Sequence, residues 1–243
     1  MTTPRILATS GGFAAAGPGN ARVPAGLFLE AVRLTGKDRP RVLFVMTASG
    51  DSDLYLTLSY QAMSGLSVDA DHLSLFGMPN QPVEQALGRA DLVWVGGGSV
   101  ANLLALWQVH GVDVAMRDAW ERGVVLGGVS AGSICWHVGG PTDSFGPTLR
   151  LVKPALGFLP YGNGVHYDSE AQRRPLLQSL VATGELPTSY ATDDRVGILY
   201  EGTDPVAVLT DDDVDPVTGP AAYRVERTAD GVLETRLPPG PIA

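Results

Sequence analysis

The segment Gly128-Val129-Ser130-Ala131-Gly132 places a serine between two glycines at its second neighbours. It follows the apolar run Val124 to Val129 and precedes Ser133-Ile134-Cys135-Trp136, so a strand is expected to turn there directly into a helix. Such a turn strains the serine backbone, demands small neighbours and lifts the hydroxyl above the carboxyl edge of a sheet, where it can act as a nucleophile. The helix beginning at that point also presents unpaired N–H groups and a positive dipole end to developing negative charge, the Ala131 N–H first among them. Val95-Gly96-Gly97-Gly98-Ser99 is a second strand-to-helix junction rich in glycine. It lacks the GxGxxG and GxxxxGK[ST] patterns of phosphate loops, so an oxyanion hole built from Gly98 and Ala131 is the preferred reading. The plainer alternative is that these small residues only let helix and strand pack closely.

A serine hydroxyl needs a base, and the chain has four histidines: His72, His110, His137 and His166. The first three read as surface or structural residues. His166 follows the glycine-rich stretch Tyr161-Gly162-Asn163-Gly164-Val165, which could carry an imidazole over the sheet edge, and is the preferred base. The acid that would orient it is one of Asp143, Asp168, Asp193 and Asp194, among which spacing alone does not choose.

The elements that must position these groups follow a β-α rhythm. Near-continuous apolar runs at Arg5 to Thr9, Arg41 to Thr47, Leu73 to Phe76, Leu92 to Val95 and Val124 to Val129 predict strands covered on both faces. Helical spacing recurs at Leu27 to Thr35, Leu54 to Ser64, Val83 to Arg89, Val100 to Val109, Val112 to Arg122 and Ser169 to Thr183. Strands are expected at Arg195 to Tyr200 and Val206 to Leu209, and a hairpin pairing Tyr223 to Arg227 with Val232 to Leu237 across Asp230-Gly231. The pattern is an α/β fold with a mostly parallel sheet, read as one domain over 1–243.

With 44% hydrophobic and 18% charged residues the chain carries enough apolar material for a core, which excludes disorder and coiled coil. A net charge of −9 has the wrong sign for gripping nucleic acid or anionic lipid, and no apolar stretch is long enough to span a membrane. The single cysteine, Cys135, rules out an intrachain disulfide and a cysteine-based zinc site, and reads as a core residue. No signal-peptide core is evident at the N-terminus, so a cytoplasmic protein without metal or cofactor is expected. Asp211-Asp212-Asp213-Val214-Asp215 has carboxylates at alternate positions, but Pro216 and Ala222 stand where a calcium loop needs glycine and glutamate, leaving a solvated turn.

Together, Gly96-Gly97-Gly98, Gly128-Val129-Ser130-Ala131-Gly132, Val165-His166-Tyr167-Asp168 and Asp193-Asp194 resemble peptidase E, the α-aspartyl dipeptidase family that includes cyanophycinase. The resemblance runs from Ser10-Gly11-Gly12 to the final hairpin. It implies a flavodoxin-like fold related to class I glutamine amidotransferases, with serine in place of their cysteine, and a Ser-His-acid mechanism. By motif, the nucleophile falls on Ser130, the base on His166 and the acid on Asp194, with Asp143 as second choice. Ser99 stands where the family often has asparagine, and the family's substrate-binding arginine falls near Glu170, with Arg173 and Arg174 just beyond. Ser99 and Arg173 are accordingly candidate substrate contacts.

The expected activity is hydrolysis of short peptides through an acyl-enzyme. The alternatives are an esterase or amidase using the same serine, and a non-catalytic flavodoxin-like module that binds a metabolite. A homodimer is the default assembly.

Overall fold

The computed structural model of the protein describes residues 3–16, 21–212 and 214–242. β1 (Arg5–Thr9) leads into a short hairpin, β2 (Phe13–Ala15) and β3 (Arg22–Pro24), and then into α1 (Gly26–Leu34). β4 (Arg41–Val45), α2 (Asp53–Met63), β5 (Asp69–Leu73), α3 (Val83–Arg89) and β6 (Leu92–Val95) follow. α4 (Val100–His110) and α5 (Val112–Glu121) separate β6 from β7 (Val125–Val129), which runs into the one-turn α6 (Ala131–Ile134). The remainder comprises β8 (Gly140–Thr142), β9 (Arg150–Val152), β10 (Gly162–Gly164), α7 (Arg173–Thr183), β11 (Ser189–Thr192), β12 (Val196–Glu201), β13 (Asp204–Thr210), β14 (Ala222–Thr228), β15 (Gly231–Leu237) and β16 (Gly240–Pro241).

Eight strands form the main sheet in the order β16-β13-β12-β1-β7-β6-β4-β5. The five from β1 to β5 in that order are parallel, and β12 closes the set antiparallel to β1. Alternation along each strand divides the core. Ile6, Ala8, Val93, Val95 and Leu126 bury into the layer formed with α3, α4 and α5, while Leu7, Leu92, Trp94 and Val125 bury into the layer formed with α1 and α2. Helices therefore cover both faces, as the apolar runs predict. A second sheet, β10-β11-β14-β15, packs with α7 around Tyr167, Leu177, Val181 and Val225. The hairpin expected at Asp230-Gly231 forms, and it belongs to this second sheet.

Two elements differ from the sequence reading. The strand expected at Leu73 to Phe76 lies earlier, at Asp69–Leu73, because β5 is an edge strand whose Asp69 and Asp71 face solvent. The N–H groups of Leu75 and Phe76 are instead taken by the Asp51 carboxylate. The helix expected from Ser169 starts at Arg173, since residues 167–169 form a turn whose Asp168 side chain accepts the Asp194 N–H.

Close approach at the carboxyl edge of the sheet requires glycine. A Cβ on Gly132 would lie 2.2 Å from the Val95 carbonyl oxygen, and one on Gly128 would lie 2.7 Å from the same atom. Gly12 and Gly127 similarly make the slot for the Trp94 indole, with hypothetical Cβ contacts of 2.6 and 3.0 Å.

These contacts set an expectation for stability. Gly132→Ala meets rigid backbone and is expected to lower unfolding free energy by about 1–3 kcal/mol. Gly88→Ala, in α3 with open space around it, is expected to raise it by about 0.4–1 kcal/mol. Urea unfolding of the two variants beside the parent protein checks both signs.

Candidate active site

The carboxyl ends of β1, β6 and β7 lie side by side, followed by Ser10-Gly11-Gly12, Gly96-Gly97-Gly98 and Ser130. Ser130 has φ 58° and ψ −111°, the strained turn that the glycine spacing implies. Its N–H donates to the Thr9 carbonyl at 3.1 Å, and its carbonyl accepts from Ser133 and Ile134 at 2.9 and 3.0 Å. The turn is thus tied to β1 in front and to α6 behind.

Gly97 stands against it, where an added Cβ would lie 3.3 Å from Ser130 Cβ. Gly98, at φ +131°, packs so tightly on Ala48 that a Cβ would be 2.3 Å from the Ala48 carbonyl oxygen. Among the described residues, the N–H groups of Gly98 and Ala131 have no hydrogen-bond acceptor, the condition an oxyanion hole requires of its donors, though neither residue is part of the cavity wall. Ser99 acts differently from the substrate contact expected of it. Its hydroxyl caps α4 by accepting the Asn102 N–H at 3.2 Å, and it lies outside the cavity wall.

His166 sits two residues beyond β10 with φ 51°. Its N–H donates to Ser10 Oγ at 3.0 Å, and Ser10 Oγ lies 2.7 Å from Thr192 Oγ1. The imidazole Nδ1 donates to Asp194 Oδ1 at 2.5 Å. His166 is 23% exposed and Asp194 41%, so the pair lies at the rim of the fold, within reach of solvent.

The other acids have different work. Asp193 is buried and accepts from the Ala221 N–H and the Tyr223 hydroxyl, and burial raises its pKa. Asp168 holds the Asp194 N–H at 2.8 Å. Asp143, the second-choice acid, lies in an exposed turn closed by the Gly146 N–H, while the His166 Nδ1 is occupied by Asp194.

Ser130 and His166 border one cavity of about 430 Å³, walled further by Gly96, Gly97, Met46 and Trp94. The β2–β3 hairpin contributes Phe13 and Arg22, and α2 contributes Tyr55, Leu58 and Ser59. Ser130 and His166 share this wall without a direct hydrogen bond between Ser130 Oγ and the imidazole among the described contacts. Phe13, Arg22 and the α2 residues carried no signal in the sequence, since they come from two short stretches far from Ser130. Asp211, read as part of a solvated turn, is half-buried and accepts the N–H groups of Gly12 at 2.8 Å and Leu27 at 3.0 Å, fixing both ends of the hairpin. Asp213 in the same run lies outside the described residues.

Arg173 does not reach this cavity. It is 2% exposed, pairs with Glu170 at 2.7 Å and donates to the Pro141 carbonyl, which holds α7 against β8. The neighbouring Arg174 stacks between Tyr167 and Tyr223 and pairs with Glu234. His137 is fully buried, with Nδ1 donating to the Ser133 carbonyl at 2.9 Å, and burial lowers its pKa to about 4. Among the described residues no group of three or more His, Cys, Asp or Glu side chains is arranged to hold a metal ion.

A strained serine at the edge of a mostly parallel sheet, sharing a cavity with a carboxylate-bound histidine, defines an α/β protein equipped for serine-based acyl chemistry. The model of peptidase family S51 matches residues 7–207. The chain therefore belongs to peptidase family S51 and stands among the serine peptidases, as its resemblance to peptidase E implies. It is 36% identical to "Uncharacterized peptidase YgaJ" of Bacillus subtilis (strain 168) over 96% of this chain and 97% of that one. It is 26% identical to "Peptidase E" of Shewanella denitrificans over 58% of this chain and 60% of that one. In fold it matches the crystal structure of a peptidase from an acI-B1 Actinobacterium with TM-score 0.71 at 16% identity, covering 99% of this chain and 97% of that one. No helix among the described residues is long and apolar enough to cross a membrane.

The buried His137 gives stability a pH dependence of known sign. Its folded pKa lies below the unfolded value near 6.5, so the unfolded chain takes up the proton first as pH falls. The resulting loss is absent above about pH 6.5, grows by about 1.4 kcal/mol per unit below it and levels off near pH 4. Urea unfolding at pH 6.5 and 5.0 is expected to show a drop that shrinks by about one proton's worth in His137→Gln.

Proposed function

We propose that the protein hydrolyses short peptides in the cytoplasm as a dipeptidase-type exopeptidase, with Ser130, His166 and Asp194 as its relay. The observation that carries this reading is the 2.5 Å bond from His166 Nδ1 to Asp194 Oδ1 on a cavity that also holds Ser130. That bond fixes the tautomer, leaving Nε2 with a free lone pair for the Ser130 proton.

Ser130 Oγ then bonds to the scissile carbonyl carbon as its proton moves to His166 Nε2, and the oxyanion is held by the Gly98 and Ala131 N–H groups. Collapse breaks the C–N bond, and His166 passes the proton to the departing amine. Water adds to the acyl-enzyme with His166 again as base, releasing the carboxylic acid and restoring Ser130. The cavity volume of about 430 Å³, closed on one side by the β2–β3 hairpin, supports a small substrate over an extended polypeptide.

Amine release from a panel of free dipeptides, with matched esters alongside, tests the reading. Ser130→Ala is expected to abolish turnover and labelling by a fluorophosphonate while its unfolding curve stays that of the parent. Asp194→Asn is expected to lower kcat by about 10²–10⁴-fold, through the wrong tautomer and a lost orienting charge. Asp143→Asn is expected to stay within about twofold, as an exposed turn residue with no hydrogen bond to His166 among the described contacts. Serine-independent cleavage, or loss in Asp143→Asn in place of Asp194→Asn, would overturn the assignment, and turnover of esters alone would make the protein an esterase.

A further inference from the structure

We infer that Met46, backed by Phe13 and Trp94, selects peptides in which the residue whose carbonyl Ser130 attacks has an apolar side chain. The inference rests on the serine-peptidase reading above and adds the chemical class of side chain that site accepts. Ser130 and Met46 lie against consecutive glycines of one loop. A Cβ on Gly97 would be 3.3 Å from Ser130 Cβ, and a Cβ on Gly96 would be 2.5 Å from Met46 Sδ. The thioether therefore belongs to the part of the cavity wall beside the nucleophile, where the side chain flanking the attacked carbonyl is received.

The surfaces beyond it are apolar and held in place. Trp94 is buried in the slot made by Gly12 and Gly127. Phe13 packs on Phe28 with ring centroids 4.7 Å apart and stands edge-on to Trp94 at 6.0 Å. Two serines of the same wall have their hydroxyls engaged within the protein. Ser59 Oγ donates to the Tyr55 carbonyl at 2.8 Å, and Ser10 Oγ accepts the His166 N–H and bonds to Thr192 Oγ1. Arg22 and Tyr55 are exposed, on the solvent side of the wall, and no Asp, Glu, Asn or Gln lines it among the described residues. A polar side chain entering beside Met46 thus gives up water without gaining a partner, whereas an apolar one gains burial. Methionine suits the position because its unbranched thioether adapts to side chains of differing outline.

Leu-Ala, Asn-Ala and Asp-Ala carry N-terminal side chains of similar shape and different polarity, so their kcat/KM values isolate this preference. The parent protein is expected to cleave Leu-Ala at least about tenfold better than the other two. Met46→Gln, similar in length but polar, is expected to cut that advantage about fivefold, while Met46→Leu keeps it. Met46→Ala is expected to enlarge the pocket and move the preference from Leu-Ala toward Phe-Ala, a gain that a misfolded variant does not show. Preference for Asp-Ala, equal cleavage of all three, or a Leu-Ala advantage unmoved in Met46→Gln overturns the proposal. Calorimetric binding of the same peptides to Ser130→Ala separates this result from the fate of the peptidase reading. Tighter binding of Leu-Ala than of Asn-Ala or Asp-Ala, with the difference reduced in Ser130→Ala/Met46→Gln, sustains the role of Met46 even if no peptide is cleaved. Equal or absent binding rejects it.

Discussion

The carbonyl oxygen of Val95 is the point around which the rest is arranged. β7 and α6 both crowd against it, at distances that exclude any side chain at Gly128 or Gly132. Because both positions are bare, the chain leaves β7 and enters α6 in a single residue, and Ser130 takes up its positive φ. The same device recurs where Gly98 meets Ala48. Glycine costs conformational entropy on folding, and the helices packed on both faces of these strands supply the apolar burial that offsets it.

A second constraint brings His166 to Asp194. β10 and β11 run parallel with Gly164 opposite Ala191, so chain a few residues beyond each strand emerges side by side. His166 lies two residues past the first of these partners and Asp194 three past the second. The register of a three-residue strand pair thus sets their separation. Ser10 joins this second sheet to the first, accepting the His166 N–H and bonding to Thr192. Ser133 donates to Asn163 at 3.0 Å and fastens the helix behind Ser130 to the strand that leads to His166.

Legibility in the sequence followed the range of each interaction. Ser130, Ala131 and the parallel strands could be read because a local pattern encodes them: an apolar run, a glycine pair, a helical period. His166 stood out since few histidines competed with it, whereas Asp194 was ranked before Asp143 only through the family resemblance, because the strand register that brings Asp194 to His166 is not displayed by a linear sequence. Arg173 illustrates the opposite failure. It sits a few residues past His166, yet the packing of α7 turns it toward Pro141 and away from the cavity. β2, β3, β8 and β10 are three residues long and too short to show a period, so the hairpin that walls the cavity was invisible. β5 was misplaced because its alternation is polar on an edge.

The carboxylate of Asp211 holds Gly12, just before that hairpin, and Leu27, just after it. Both feet are therefore anchored to one residue from a distant part of the chain. The stretch between them contributes Phe13 and Arg22 to the cavity and contains none of Ser130, His166 and Asp194. Phe13 and Arg22 thus reach the cavity wall from a stretch whose two ends share one anchor, apart from the contacts that hold Ser130, His166 and Asp194 in place.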